Sequence, residues 1–157
     1  MVFGWDGVMK SAEEMPGLVL PYYGTSGRVP FKIVETPSGG MMAWWFDRDT
    51  GGWKPANDRI DKVLFAVGGE DGPLTREEFV QETEMWRAHY GHGEGEIKAL
   101  YDTVRAIFAK AREEGRRLTD EERALVRGIR RKTFVMFEEK LQREGNPGAD
   151  PSIAYPE

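Results

Sequence analysis

The residues with the clearest chemical potential are arginines that repeat along one face of a predicted C-terminal helix and continue into the turn before it. The set is Arg116, Arg117, Arg123, Arg127, Arg130 and Arg131. Guanidinium groups form bidentate hydrogen bonds with carboxylates and phosphates, so this face is predicted to bind an anionic partner. The alternative is an ordinary solvated face whose arginines pair with carboxylates of the same chain.

The charge distribution favours a protein over a nucleic acid as that partner. Residues 105–132 contain ten basic and five acidic side chains, a local charge of +5, whereas the remainder of the chain carries −10. A nucleic-acid reader is usually basic overall, but this chain has a net charge of −5 and a pI of about 5.2. We therefore expect an acidic protein surface or another copy of the chain, with nucleic acid as the alternative.

Three tryptophans form a second candidate binding group. Trp44 and Trp45 lie in the apolar run Met41–Phe46, and Trp53 follows shortly after it. Neighbouring residues of a strand point to opposite faces, so the two adjacent tryptophans are not expected to share one core. An exposed tryptophan can anchor a protein interface or stack on a sugar. Core filling is the alternative, and a glycan-binding or hydrolytic module that uses Asp47 and Asp49 is a further one.

Other chemistry has weaker support. The absence of cysteine excludes disulfides, thiolate metal sites and cysteine catalysis. Asp47, Asp49 and Gly52 resemble the start of a calcium loop, but Gly51 occupies a ligand position. His89 and His92 span a helix end and a glycine-rich loop rather than one helix face. No catalytic residue, metal site or cofactor is predicted, and the leading hypothesis is a non-enzymatic adaptor, inhibitor or assembly component.

Two amphipathic helices must position the arginines. Apolar residues from Ile97 to Ala111 recur at helical spacing and include Phe108, and Gly115 is predicted to end this helix in a left-handed conformation. Thr119 and Glu122 form a capping box that starts the next helix. The short connection between the helices predicts an antiparallel hairpin.

The N-terminal half has the pattern of a small antiparallel sheet. Short apolar or alternating runs at residues 18–23, 29–35 and 41–46 are separated by glycine and proline, and residues 60–67 indicate a further strand or a short helix. A further helix, which precedes the hairpin in the chain, begins at a capping box formed by Thr75 and Glu78. The predicted fold is α+β, with the sheet covered by a three-helix segment that ends in the hairpin.

The predicted organisation is one domain over residues 1–145, strand-rich at 18–67 and helical at 75–144, followed by an extended tail at 146–157. Residues 1–17 are expected to pack as an arm, and Gly68–Pro73 marks the internal boundary. The chain has no apolar run long enough to span a membrane, so a cytoplasmic location is expected.

The segment AREEGRRLTDEERALV, residues 111–126, resembles the helical-hairpin arms of tailed-phage capsid proteins. This resemblance implies an assembly role and assigns no site residues.

Overall fold

The computed structural model describes residues 19–64 and 72–155 and confirms the α+β class. A four-stranded antiparallel sheet precedes the long helices. The chain divides into two compact units: a sheet unit, up to Asp47 and from Trp53 to Phe79, and a helical unit, Arg48–Gly52 and from Val80 onward. The packing of the helices on the sheet and the single domain stay predictions.

The sheet consists of strands β1 (Tyr22–Ser26), β2 (Val29–Glu35), β3 (Met41–Phe46) and β4 (Trp53–Pro55). They pair in sequence order, so β3 is an internal strand, as its continuous apolar sequence predicts. The observed bounds of β2 and β3 agree with the predicted runs.

The first strand lies later in the chain than its apolar sequence indicates. A two-residue turn joins β1 to β2, and both of its residues, Gly27 and Arg28, have positive φ angles of 59° and 72°. This conformation matches the right-handed twist of a hairpin and fixes the pairing of Ser26 with Val29. The strand is therefore set by the turn and not by the apolar residues 18–23.

Both faces of the sheet are largely buried. One face carries the core cluster of Phe31, Ile33, Met41, Ala43, Ala56 and Ile60. On the other face, the Trp53 ring stacks on Phe79 with 5.5 Å between centroids, and Lys32 Nζ lies 4.7 Å from the Trp53 centroid. Phe31 on one face and Trp53 on the other are both buried, and this burial on two faces fits the unbroken apolar sequence of β3.

The strand indicated at residues 60–67 is wrong where the structure describes it, and the alternative of a short helix is confirmed there. Helix α1 spans Ile60–Leu64 and follows a 3-10 turn at Asn57–Arg59. Ile60 is buried, and Val63 and Leu64 pack against the same cluster. Their i, i+3, i+4 spacing suits one helix face. Residues 65–67 lie outside the described part of the chain.

Three longer helices follow: α2 (Arg76–His89), α3 (Glu96–Glu113) and α4 (Asp120–Arg143). Both predicted capping boxes are present. Glu78 N donates to Thr75 Oγ1 at 3.1 Å while Thr75 N donates to Glu78 Oε1 at 2.8 Å. Thr119 and Glu122 repeat this exchange at the start of α4. Gly115 follows α3 with a φ of 64°, as a helix-terminating glycine requires.

Helices α3 and α4 form the predicted antiparallel hairpin. Near the turn, Arg116 Nη1 donates to Glu122 Oε1 at 2.7 Å. Far from the turn, Lys132 Nζ lies 3.3 Å from Glu96 Oε2, at the start of α3. The order of these contacts shows that the two helices run in opposite directions.

The tail differs from the extended segment predicted for residues 146–157. Residues Pro151–Ala154 form a 3-10 turn, and Ile153 and Ala154 are buried. Asp150 N donates to Glu138 Oε1 of α4 at 2.9 Å and holds the turn against that helix. The prolines stop the helix, but the apolar residues between them still pack.

No helix in residues 19–64 or 72–155 is long and apolar enough to cross a membrane. The predicted N-terminal arm, residues 1–17, and most of the predicted boundary at Gly68–Pro73 lie outside the described residues.

Candidate functional site

An open groove with a volume of about 640 Å³ runs along the turn end of the helical hairpin. We call it the arginine groove. Its described lining is Gln81, Phe108, Ala111, Arg112, Arg116, Arg117, Leu118, Arg123, Val126, Arg127 and Arg130. Six of these residues are arginines and none is acidic, so an anion entering the groove meets cations without a competing carboxylate in the lining.

Two of the predicted arginines are already paired within the chain. Arg116 bridges the turn: its Nε donates to Glu114 Oε1 at 2.7 Å and its Nη1 to Glu122 Oε1 at the same distance. The hydrogen bonds that Arg116 donates to Glu122 and Glu114 raise the pKa of Arg116, and the same contact with Arg116 holds the pKa of Glu122 at about 2. Arg123 pairs with Asp120 and donates to Leu118 O at 2.7 Å. These two arginines stabilise the hairpin turn.

Four other groove arginines form no ion pair with a described carboxylate: Arg112, Arg117, Arg127 and Arg130. The first three are exposed, and Arg130 is partly buried. The Arg130 guanidinium lies 5.6 Å from the Phe108 centroid, and its closest polar contact on another side chain is Gln81 Oε1 at 3.5 Å. Partial burial lowers the pKa of Arg130 below the usual arginine value.

The groove has an apolar floor fixed by contacts between the helices. Val126 of α4 and Ala111 of α3 are buried, and Leu118 closes the turn end. Gln81 Nε2 of α2 donates to Arg127 O at 3.1 Å, which ties α2 to α4 at the groove edge. The arrangement can accept carboxylates along its sides and apolar groups along its floor.

The sequence alone missed one groove arginine and included one arginine that is not in the lining. Arg112 lies on α3, four residues after Phe108, and enters the groove because the antiparallel hairpin brings α3 beside the arginine face of α4. Arg131 is on α4 but does not belong to the lining. Projecting the basic residues of both helices onto one hairpin would have found Arg112.

The predicted tryptophans belong to the sheet unit and are not in the lining of this groove. Trp44 and Trp53 are buried, at 7% and 3% exposure. Trp45 is partly buried, donates from Nε1 to Ser26 O at 2.8 Å, and has the Arg59 guanidinium 4.2 Å from its ring centroid. Trp44 and Trp53 therefore offer little exposed surface, and the binding role of the three tryptophans stays a prediction.

The helical unit also contains a buried ionic cluster. Arg87 lies between Glu84, whose Oε2 is 2.9 Å from Arg87 Nη1, and Glu138, which pairs with Nη2. The Tyr101 hydroxyl donates to Glu84 Oε1 at 2.8 Å, and Arg87 Nε donates to Gly51 O at 2.8 Å. Burial raises the pKa of Glu84, while the charge on Arg87 opposes that rise.

The two histidines considered above contact neighbouring groups of the helical unit. His92 Nε2 lies 2.7 Å from Arg48 O, and the His89 ring lies edge-on to Trp86 at 6.0 Å between centroids. Among the residues that the structure describes, no group of three or more His, Cys, Asp or Glu could hold a metal ion. The aspartates Asp47 and Asp49 belong to the segment between β3 and β4.

Comparison with known proteins adds no relative: the chain matches no protein-family model, no curated protein and no solved structure.

Proposed function

We propose that this protein is a non-enzymatic interaction module whose arginine groove binds an acidic segment of a partner protein. The observation that supports the proposal is the convergence of Arg112, Arg117, Arg127 and Arg130 on one groove without an ion-pair partner among the described carboxylates. The other two arginines of the groove are paired, Arg116 with Glu122 at 2.7 Å and Arg123 with Asp120.

An acidic protein segment suits the groove better than a nucleic acid. The chain as a whole carries a net charge of −5, so a long polyanion that extends beyond the groove meets repulsion. A short acidic segment can remain within the basic region and can also cover the floor at Val126 and Leu118. Binding then combines charge-assisted hydrogen bonds with apolar burial.

A defined probe tests this proposal. The affinity of a fluorescein-labelled dodecaglutamate peptide is measured by anisotropy for the wild type and for Arg112→Glu with Arg127→Glu. Each reversal replaces attraction by repulsion, for a loss of about 1 kcal/mol or more, so the double variant is expected to bind at least about tenfold more weakly. Binding should also weaken with added salt.

The matched control is Lys62→Glu with Arg143→Glu, which changes the net charge by the same amount outside the groove. Lys62 lies on α1, and Arg143 lies about 24 Å along α4 from Arg127. The control is expected to keep its affinity within about twofold. Equal weakening in both double variants would show that only net charge matters. Tighter binding of a single-stranded DNA of the same length would overturn the assignment to a protein partner.

A further inference from the structure

A second open groove, with a volume of about 1010 Å³, adjoins the arginine groove along the same helices. We call it the apolar groove. It lies between α2 and α3 and is lined by Glu82, Met85, Trp86, Ala88, His89, Tyr101, Val104, Arg105, Ala106, Phe108, Ala109, Arg112 and Arg130. Phe108, Arg112 and Arg130 line both grooves, so the two form one continuous surface within the helical unit.

The apolar groove exposes side chains that a helix usually buries. Phe108 belongs to the apolar stripe of α3, yet 36% of it is exposed, and Met85 of α2 is 46% exposed. Ala106 and Ala109 line the groove between them and are exposed as well. Their small side chains allow the backbone of another helix to approach closely. Glu82 is the single acidic residue in the described lining, and Arg105 is held by Asp102 at 3.1 Å.

We infer that the acidic partner segment is an amphipathic helix, whose apolar residues occupy the apolar groove and whose carboxylates follow into the arginine groove. This inference rests on the proposed function, because it assigns the chemistry of the segment that the arginine groove binds. A helix that binds in a groove contacts it through apolar residues at i, i+3, i+4 and i+7. From Tyr101 to Ala111 the surface extends for about 15 Å, roughly three helical turns.

Charge complementarity selects this partner over a purely apolar one. Arg130 joins the two grooves: its guanidinium lies over Phe108 and has no ion pair with a described carboxylate. A partner with apolar residues alone would bury Arg112 without a counterion and Arg130 with only the carboxylates of Glu82 and Glu84 beyond ion-pair distance, which is unfavourable. A partner with carboxylates alone would leave Met85 and Phe108 in water.

The test compares two synthetic peptides of identical composition. In one peptide, leucines at i, i+3, i+4 and i+7 form one face and glutamates fill the other positions; in the second peptide the same residues are scrambled. The wild type should bind the amphipathic peptide about tenfold more tightly, the factor expected from burying one or two further apolar side chains. Equal affinities for the two peptides would overturn the inference.

Variants of the groove then show which side chains produce the preference for the amphipathic peptide over the scrambled one. Met85→Ser with Phe108→Ser should reduce the preference to about onefold. Leu125→Ser should retain it, because Leu125 is 53% exposed on α4 and lines neither groove. A preference that persists in the Met85 and Phe108 variant would show that the apolar contact lies elsewhere.

The outcomes separate the inference from the proposed function. If both peptides bind equally and both depend on Arg112 and Arg127, the proposed function holds and the amphipathic helix is wrong. If the preference is present but the affinity of neither peptide depends on these arginines, the proposed function is wrong. A wild-type dimer in sedimentation that Met85→Ser with Phe108→Ser dissociates would assign the apolar groove to a second copy of the chain and overturn the partner helix.

Discussion

Two regions of the helical unit hold arginines in opposite environments. In the buried cluster, Arg87 is fully enclosed, pairs with Glu84 and Glu138 and donates to Gly51 O at 2.8 Å. In the arginine groove, Arg112 and Arg127 are exposed and have no ion pair with a described carboxylate. The same side chain therefore stabilises the fold in one region and remains available to a partner in the other.

The difference follows from desolvation. A buried guanidinium must receive its counter-charges from the protein, because water is absent. Burial alone would lower the pKa of Arg87, but the charges on Glu138 and Glu84 more than compensate. An exposed guanidinium keeps its water at little free-energy cost until an anion replaces that water. The degree of pairing thus distinguishes structural arginines from candidate binding arginines.

The largest expected effect is the loss of stability on substituting Arg87, the arginine of the buried cluster. Arg87→Met leaves Glu84 and Glu138 as buried carboxylates without their cation, so it should reduce the free energy of unfolding by about 3 to 5 kcal/mol. Urea denaturation followed by circular dichroism measures the change. Adding Glu84→Gln and Glu138→Gln should recover part of the loss. A loss below about 1 kcal/mol in the single variant would show that Arg87 is not a structural residue.

Substituting the exposed arginines of the arginine groove is expected to change stability much less. Arg112→Glu with Arg127→Glu should change the free energy of unfolding by no more than about 0.5 kcal/mol per site, although it weakens peptide binding. The same denaturation measurement provides the check. Destabilisation comparable to that of Arg87→Met would show that these arginines support the fold and would remove the contrast.

Arg116 provides an intermediate case, since it is partly exposed at the turn and also paired. Its partner Glu122 has a pKa lowered to about 2, so the ion pair contributes stability above the usual glutamate pKa and loses it as pH falls toward 2. The melting temperature of Glu122→Gln should lie below that of the wild type at neutral pH. The difference should shrink as pH falls through this range.

The control for that experiment is Glu113→Gln. Glu113 is exposed near the end of α3, and no ion pair with a described cation is present. Its substitution should give a small difference without the same pH profile. A Glu122→Gln difference that stays constant from neutral pH to pH 3 would contradict the role of ionised Glu122 in the turn.

The elements with strong local signals could be predicted from the sequence. The capping box of Thr119 and Glu122 fixed the start of α4, and Gly115 fixed the end of α3, because these residues satisfy backbone groups within a few positions. The positive φ of Arg28 has no comparable signal, so the first strand was misplaced. The packing of Ile153 depends on α4, which lies distant in sequence, and the tail was therefore expected to be extended.

The candidate site could be predicted only in part, for the same reason. Helical spacing predicts Arg127 and Arg130, the adjacent turn adds Arg117, and all three line the groove. Arg112 was missed because its neighbours belong to another helix. The helical stripe also placed Phe108 on the buried face, whereas the geometry of α2 and α3 leaves it open to the groove. Helical periodicity assigns a side chain to a face, but it does not show whether that face is covered.

The central claim is that an acidic partner segment binds at the groove arginines, and chemical-shift mapping tests it most directly. Adding dodecaglutamate to the isotopically labelled full chain should shift the amide signals of residues 108–118 and 123–130, while the amides of β2 and β3 stay unchanged. Arg112→Glu with Arg127→Glu should abolish these shifts. Changes that centre on β3, or that spread evenly over the chain, would contradict the account.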